Sequence, residues 1–463
     1  MLETVNAWVW GQPTLALILG LGIYLTAITR GVQFRKFPEA LKAFFAKFAG
    51  EAQGDGVSSY RALCTALAAT VGTGNLAGVA GAIAIGGPGA VFWMWVCGFL
   101  GMAIKFAEAS LAVRYRVKLA GGEYAAGPMY MICQGMKRFH FLAGVYAFFG
   151  VVAAFGVGNA TQINTLIQGV HSTAGAFHGD LPGWFDLVMG IALGAVTVYL
   201  FLGGAERIGQ MAEVLVPFAA CAYMLLCLWA LAVRLEYIPK ALGSIITGAF
   251  TPRAATGGAV GSAFITLRIG ISRGIFTNEA GMGTASIAHG SANVKNPWEQ
   301  GYMGIMEVFL DTIVMCTMTA LVILSADITI AYGEDTGILL TLAALESVFG
   351  KWVRLPITLF LSLFAFATVL GWGLYGGRCA QYLFGDGAWK KFVIFQGFAV
   401  AISAVLECRT VWTVSEILNG CMAIPNLLAL AFLSREVRAM TEKIPGRREG
   451  LPGGKLKDFQ EAK

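Results

Sequence analysis

The stretch Ala68-Ala-Thr-Val-Gly-Thr-Gly-Asn-Leu-Ala-Gly78 places glycine, threonine and asparagine in the middle of an otherwise apolar segment, residues 59–83. A segment of this kind is typical of a membrane-spanning helix, which needs about 20 mostly apolar residues to cross the hydrocarbon core. Each glycine weakens a helix by about 1 kcal/mol relative to alanine. The clustered glycines therefore predict a break midway across the membrane.

A second interrupted span lies in the other half of the chain. Residues 260–288 are largely apolar, but polar residues and glycines are concentrated between Thr266 and Thr284. Transporters built from inverted repeats have discontinuous helices at corresponding positions of both halves, with the substrate site between them. The alternative is that these glycines only permit close helix packing. Two polar breaks at matching places favour the first interpretation.

The other apolar segments complete two sets of five spans. We predict an all-α membrane protein of about eleven transmembrane helices, a 5+5 inverted repeat with one extra N-terminal helix. Segment 336–349 is apolar but short, and we expect it to lie in an outer loop. The predicted spans are 13–29, then 59–83, 89–117, 141–170, 184–202 and 209–233, and finally 260–288, 300–328, 355–383, 390–406 and 411–433.

Charge predicts the orientation of these spans. With the N-terminus outside, most of the 33 Lys and Arg residues fall on the cytoplasmic side, as the positive-inside rule requires. We expect a multi-pass protein of the bacterial inner membrane with a cytoplasmic C-terminus. The predicted parts are an N-terminal transmembrane helix (1–34), an amphipathic cytoplasmic segment (35–58), the first repeat (59–239), a connector (240–259), the second repeat (260–434) and a cytoplasmic tail (435–463).

Composition excludes several classes of protein. The chain is 57% hydrophobic and 13% charged, whereas soluble domains are about 25% charged. The net charge of +6 lies mostly in loops and the tail, which fits membrane orientation better than nucleic-acid binding. The sequence has no phosphate-binding loop, no Cys-x-x-Cys pair and no His pair at helical spacing, which argues against ATP-driven transport and a zinc site.

An unwound span at the membrane midplane leaves backbone N–H and C=O groups that must find partners. The N–H groups at the start of a half-helix, helped by its dipole, can bind a carboxylate. Freed carbonyls, together with the oxygens of Thr70 and Asn75, can bind a hard cation such as sodium. The breaks therefore suit a small zwitterion and its accompanying ion.

Three motifs resemble the alanine/glycine:cation symporter family, which includes sodium:alanine symporters. They are Gly72-Thr-Gly-Asn-Leu-Ala-Gly78, Gly127-Pro-Met-Tyr130 and Arg273-Gly-Ile-Phe-Thr-Asn-Glu-Ala-Gly-Met-Gly283, and the resemblance covers nearly the whole chain. It implies the leucine-transporter-like fold and a transporter, not an enzyme. It also implies import of alanine or glycine with sodium, or in some members with protons.

The resemblance also implies a substrate site, with the carboxylate at the first interrupted span. A Trp and a Phe that close on the substrate side chain would leave room for a methyl group but little more. Taken alone, Phe276 and Trp372 equally suit ordinary packing, and Gln162 suits an interhelical hydrogen bond. The residues implied around the substrate are Thr73, Gly74, Asn75, Gln162, Phe276 and Trp372.

The same resemblance implies a sodium site between the first and eighth core helices. Thr368 has an alternative role, because its hydroxyl can bond to the carbonyl one turn earlier. A second sodium is expected near Thr70, Asn75 and Thr266. The ligands implied for the first sodium are the carbonyls of Ala68, Val71 and Ala365 and the hydroxyl of Thr368.

Ionisable residues at membrane depth are functional candidates. Glu307 and Asp311 are four residues apart and share a helix face, so we expect them to pair with Arg268 or Arg273, as a gate or as a structural ion pair. A carboxylate that binds protons would instead allow proton coupling. The residues in question are Lys105, Glu108, Glu213, Arg268, Arg273, Glu279, Glu307 and Asp311.

Two other functional classes remain open from the sequence. A channel would use similar broken helices, but it would not accumulate its substrate uphill. A membrane enzyme would need a catalytic cluster, and the four histidines are scattered along the chain. The expected partners are a small amino acid and membrane lipid, with no nucleic acid.

Overall fold

The computed structural model describes residues 2–48, 57–119, 122–252, 256, 262–334, 337–406 and 408–444. Within these ranges nearly all regular structure is helical, and the strands are one short antiparallel pair, Val117–Lys118 and Tyr124–Ala125. The first half contains helices α1 (Leu2–Val9), α2 (Gln12–Ile28), α3 (Val32–Arg35), α4 (Phe37–Phe48), α5 (Ser59–Thr70), α6 (Gly74–Gly86), α7 (Gly89–Arg114), α8 (Pro128–Gly135), α9 (Phe141–Phe177), α10 (Phe185–Phe201), α11 (Gly204–Val233) and α12 (Ile238–Phe250).

The second half begins with another interrupted helix and ends with a short helix. Its helices are α13 (Ala263–Asn278), α14 (Thr284–His289), α15 (Pro297–Ser325), α16 (Ile338–Phe349), α17 (Lys351–Phe384), α18 (Ala388–Ser403), α19 (Cys408–Phe432) and α20 (Ser434–Glu442).

Several helices are long and apolar enough to cross a membrane. Among the described residues these are α7, α9, α11, α15, α17 and the Thr413–Phe432 part of α19, and the bent pair α5–α6 makes a seventh candidate. Helices α2, α10 and α16 are apolar but shorter. The predicted all-α membrane fold is confirmed, and the count of eleven spans stays a prediction.

Corresponding spans of the two predicted repeats pack against each other. Helix α7 packs on α15, α9 on α17, and α10 on α18, which contain the second, third and fourth predicted spans of each repeat. A two-fold axis in the membrane plane relates inverted repeats in this way. Both interrupted helices meet at the same centre, because α6 contacts α13.

The first part of the predicted connector, 240–259, is helical, because α12 extends as far as Phe250. Pro239 lies in the first turn of α12, where its missing N–H removes no helical hydrogen bond. Ala241, Ile245 and Ala249 recur every four residues and form a buried face, and α12 packs on α7. The sequence analysis did not assign a helix to this segment.

Most of the residues outside the description fall in three of the predicted segments. The amphipathic segment is helical over Phe37–Phe48, and the tail begins with α20. The portions outside the description are 49–56 of the amphipathic segment, 253–255 and 257–259 of the connector, and 445–463 of the tail.

Candidate substrate and ion site

The first interrupted helix bends by 51° between α5 and α6. We call Val71–Thr73 the first break. Val71 adopts an extended conformation (φ −78°, ψ 90°), and α6 then begins with a π-helical turn. The break expected from the clustered glycines is therefore present.

The break frees two carbonyls at the end of α5. The Gly72 N–H donates to Asn75 Oδ1 (3.0 Å), and the Asn75 N–H donates to the Gly72 carbonyl (3.3 Å). In a continuous helix these two N–H groups would bond to the carbonyls of Ala68 and Val71. The break thus removes the helical donors from the Ala68 and Val71 carbonyl oxygens, which are expected to bind sodium.

Gln162 covers the first break from α9. Its Oε1 accepts from the Thr73 N–H (3.3 Å) and from the Thr73 hydroxyl (3.0 Å). A neutral amide oxygen therefore uses the donors at which the carboxylate of an amino acid is expected. The π-helical segment Ala154–Ala160 precedes Gln162 in α9 and shifts the register of the side chains that follow.

Helix α17 lies directly against the first break. A Cβ built on Gly72 would overlap the Thr368 hydroxyl, and one on Gly371 would lie 2.8 Å from the Ala69 Cβ. The Thr368 hydroxyl donates to the Phe364 carbonyl (3.0 Å), which leaves its oxygen lone pairs available to a cation. The residues expected to bind the first sodium are all buried: Ala68, Val71, Ala365 and Thr368.

The residues expected around a second sodium are not all brought together. The methyl group of Thr277, near the end of α13, lies 3.0 Å from the position that a Cβ on Gly74 would occupy. Thr266 is three turns earlier in the same unbroken helix, about 16 Å away along its axis. Thr70 bonds to the Ala66 carbonyl (3.3 Å). Thr266 is therefore distant from the first break.

The second interrupted helix breaks between α13 and α14. We call Glu279–Gly283 the second break. Three of its residues, Glu279 (φ 53°), Gly281 (φ 92°) and Gly283 (φ 77°), adopt left-handed conformations. Glycine does so without steric penalty, but a glutamate does so only when its surroundings hold it there.

A carboxylate from α7 occupies the second break. Glu108 Oε1 accepts from the N–H groups of Gly281 (3.1 Å) and Gly283 (3.0 Å). It also accepts from Asn426 Nδ2 (2.7 Å). The sequence marked Glu108 as an ionisable residue at membrane depth but gave no partner, because its partners are far away in the chain and two of them are backbone N–H groups.

Glu279 holds the tryptophan expected in the substrate wall. Its Oε1 accepts from Trp372 Nε1 (2.7 Å), and its Oε2 accepts from the Thr284 hydroxyl (2.5 Å). Trp372 is fully buried and packs against Gly158 of α9, where an added Cβ would overlap the Cβ of Trp372. The nearest ring atom of Phe276 lies 3.6 Å from the position that a Cβ on Gly74 would occupy.

The expected pairing of Glu307 with Arg268 or Arg273 is wrong. Glu307 Oε1 lies 2.8 Å from Lys105 Nζ, and Glu307 Oε2 lies 2.9 Å from His289 Nε2. Spacing along one helix shows which residues share a face, but not which neighbour faces them. Because α15 packs on α7, the cation that reaches Glu307 is Lys105.

The expected arginine partner of Asp311 is also wrong. Asp311 Oδ1 accepts from Asn75 Nδ2 (2.7 Å), and Oδ2 accepts from the Thr312 hydroxyl (2.8 Å). Thr312 in turn accepts from Asn278 Nδ2 (3.1 Å). Asp311 thus connects the residues beside both breaks. Arg273 Nη1 instead lies 3.4 Å from Glu416 Oε1.

Comparison with known proteins gives consistent results. The sequence profile of the sodium:alanine symporter family matches residues 1–450. The chain is 41% identical over 447 residues to the sodium/alanine symporter AgcS of Methanococcus maripaludis, covering 96% of each chain. It is 34% identical over 438 residues to the amino-acid carrier protein AlsT of Bacillus subtilis, covering 94% of this chain and 90% of that one.

A solved structure supports the fold independently. The crystal structure of MhsT in complex with L-phenylalanine superposes with a TM-score of 0.57 at 13% identity, covering 84% of this chain and 99% of that one. A likeness at this identity concerns fold alone. It confirms the leucine-transporter-like fold that the motifs implied.

Proposed function

Because this chain belongs to the sodium:alanine symporter family, we propose that it imports alanine or glycine together with sodium. Family membership makes it a multi-pass membrane transporter that couples an amino acid to a cation, and not an enzyme. We further propose that it lies in the bacterial inner membrane with its N-terminus outside. The positive-inside distribution of Lys and Arg supports this orientation.

One observation carries the proposal, namely the pair of carbonyls without helical donors and the pair of donors bonded to a neutral oxygen at the first break. The backbone N–H of Gly72 bonds to the Asn75 side chain, and the backbone N–H of Asn75 bonds to the Gly72 carbonyl. The carbonyls of Ala68 and Val71 therefore have no helical donors. The Thr73 N–H and hydroxyl are held by the neutral oxygen of Gln162. A substrate carboxylate makes stronger, charge-assisted bonds to such donors than an amide oxygen does.

The size of the substrate follows from the walls near this break. Phe276 lies beside Gly74, and Trp372 is packed tightly on Gly158. Both aromatic side chains are largely or fully buried, so a bulky substrate side chain would have to displace them. We therefore propose alanine and glycine as substrates, with larger amino acids disfavoured.

The proposed sodium site uses the two freed carbonyls with the Ala365 carbonyl and the Thr368 hydroxyl. All four are hard oxygen donors without formal charge, a set that suits sodium better than a soft metal. Thr368 lies against Gly72, so an ion at this position would bridge α17 and the first break. Such an ion would tie substrate binding to the relative position of the two helices.

A proton is the second candidate for the coupling ion, and a specific observation favours it. Among the described residues that are at most 2% exposed, four are carboxylic acids, Glu108, Glu279, Glu307 and Asp311, and one is an amine, Lys105. A surplus of buried carboxylates is costly unless cations or protons neutralise it. Both ions could therefore take part in transport.

Uptake in proteoliposomes tests the proposed function. Labelled alanine is expected to accumulate above its outside concentration when an inward sodium gradient is imposed, with strong competition by glycine and weak competition by leucine. Separate sodium and proton gradients identify the coupling ion. Uptake that follows neither gradient, or that stops at equal concentrations, would contradict a symporter and favour a channel.

A matched glycine pair links the test to the site. Gly72→Ala places a methyl group on the Thr368 hydroxyl, whereas Gly144 has open space around it. We expect Gly72→Ala to reduce uptake at least about 100-fold. Gly144→Ala is expected to retain wild-type uptake. Equal activity of the two variants would remove the first break from the substrate and ion site.

A further inference from the structure

We propose that Glu279 is a positioning residue that fixes the Trp372 indole and thereby sets the largest side chain the transporter accepts. The proposal rests on the proposed function, since it assigns a role in the selectivity of that site. It concerns a residue that does not line the first break. Glu279 lies in the second break, on the other interrupted helix.

The first argument is the geometry of the carboxylate. Each of its oxygens has one partner from a different part of the fold, Trp372 Nε1 on α17 at 2.7 Å and the Thr284 hydroxyl on α14 at 2.5 Å. Hydrogen bonds of these lengths prefer a nearly linear donor geometry, so they fix the relative orientation of the groups that they join. The indole is therefore held in one orientation by a short and directional contact.

The second argument is that the indole of Trp372 is fully buried, so its N–H must find an acceptor inside the protein. Its Cβ abuts Gly158, and its ring meets Tyr375 edge to face at 6.0 Å between ring centres. Packing at Cβ limits rotation about the first side-chain bond, whereas the torsional preference of the second is broad. The bond to Glu279 favours the ring orientation in which the indole N–H has an acceptor.

The third argument is the strained backbone at Glu279. Its φ of 53° is unusual for a residue other than glycine. The conformation aims the side chain from the second break towards α17, as the contact with Trp372 shows. A glycine would adopt this φ more easily but would lack the carboxylate. The strain is therefore accounted for by the contact that it makes possible.

Together these contacts connect the two interrupted helices through the substrate wall. Glu279 belongs to the second break, and Trp372 lies one turn after Thr368, which touches the first break. A movement of the second break would displace the indole and change the space for the substrate side chain. Selectivity would thus depend on a residue that does not contact the substrate.

A selectivity ratio tests this role. Alanine and 2-aminobutyrate differ by one methylene, a difference that a hydrophobic pocket resolves by about 10- to 200-fold. Glu279→Asn tolerates the left-handed backbone but is one methylene too short to reach the indole. The selectivity ratio is the inhibition constant of 2-aminobutyrate divided by that of alanine, both measured against labelled alanine uptake. We expect Glu279→Asn to lower this ratio by about 10-fold. Glu279→Gln keeps an acceptor at full length and is expected to change the ratio less than about 3-fold.

Two further variants separate positioning from general support of the fold. Thr284→Val removes the other bond of Glu279 and is expected to leave the ratio unchanged. Trp372→Phe lacks the indole N–H, so adding Glu279→Asn to it is expected to cause no further loss of selectivity. An additive loss in the double variant, or an equal decrease in uptake of both amino acids in Glu279→Asn, would overturn the proposal.

A spectroscopic measurement tests the contact without relying on transport. In protein labelled with ¹⁵N-tryptophan, the indole signal of Trp372 is identified by its loss in Trp372→Phe. We expect this signal to shift in Glu279→Asn and to stay in place in Thr284→Val. An unmoved signal in Glu279→Asn would refute the positioning role. Absence of alanine uptake by the wild type would refute the proposed function instead.

Discussion

Both breaks contain backbone N–H groups that bond outside the helix, but these groups have different partners at the two breaks. At the first break, the Thr73 donors bond to the neutral amide of Gln162. At the second break, the N–H groups of Gly281 and Gly283 bond to the carboxylate of Glu108. The first break therefore retains donors that a stronger acceptor can take over, whereas the second break already holds such an acceptor.

The difference suggests a division of roles between two helices of similar design. An amide oxygen satisfies buried donors without matching the strength of a charged acceptor, so a zwitterion can replace it. A built-in carboxylate that also bonds to Asn426 instead fixes the backbone of the second break. The first break then suits reversible binding, and the second supports the arrangement of the helices around it.

The strongest test of this division concerns the anchor of the second interrupted helix. Lys105 lies 2.8 Å from Glu307, which also contacts His289 at the end of α14. Lys105→Met leaves the buried carboxylate without its cation, and we expect the free energy of unfolding in detergent to fall by about 3–5 kcal/mol.

The matched control for this pair is the double variant Lys105→Met/Glu307→Gln. It removes both charges and keeps an acceptor for His289, so most of the lost stability is expected to return. Chemical denaturation followed by circular dichroism measures both variants. Equal destabilisation of the single and double variants would contradict a simple charge-pair anchor.

A charge placed at the first break should make it resemble the second. Gln162→Glu keeps the size of the side chain but puts a carboxylate against the Thr73 donors. This carboxylate competes for the donors and repels the carboxylate of the substrate, so we expect alanine affinity to fall about 50-fold. Equilibrium binding measures it, and Gln162→Met separates loss of the amide from gain of charge. Unchanged affinity in Gln162→Glu would place the substrate carboxylate elsewhere.

The reciprocal change at the second break should affect stability and spare binding. Glu108→Gln retains one acceptor oxygen but loses the charge that strengthens three hydrogen bonds. We expect the free energy of unfolding to fall by about 2 kcal/mol. The alanine affinity of the folded protein should remain within about 3-fold of wild type. A larger loss of affinity than of stability would show that both breaks bind the substrate.

How far the sequence predicted this arrangement depends on whether the contacts are local. Both breaks were predictable, since glycines and polar residues in an apolar span act on the backbone beside them. The partners of Glu307 and Asp311 were not, because spacing along a helix does not identify the neighbour that its face meets. Nor was the partner of Glu108, which bonds mainly to main-chain N–H groups that have no residue signature.

The smallest expected effect concerns the ion at the first break. Thr368→Ala removes the hydroxyl beside Gly72 and leaves a small side chain in its place. We expect the sodium concentration for half-maximal uptake to rise about 5-fold, equivalent to about 1 kcal/mol, because one neutral ligand is lost from several. Alanine affinity at saturating sodium should change less than about 2-fold.

Two hydroxyl controls complete this comparison of the breaks. Thr368→Ser keeps the ligand oxygen and is expected to preserve the sodium titration. Thr284→Ala removes a hydroxyl from the second interrupted helix and should leave the titration unchanged, since its oxygen bonds to Glu279 and not to the first break. A sodium titration that shifts in Thr284→Ala but not in Thr368→Ala would move the ion to the second break and reverse the proposed roles.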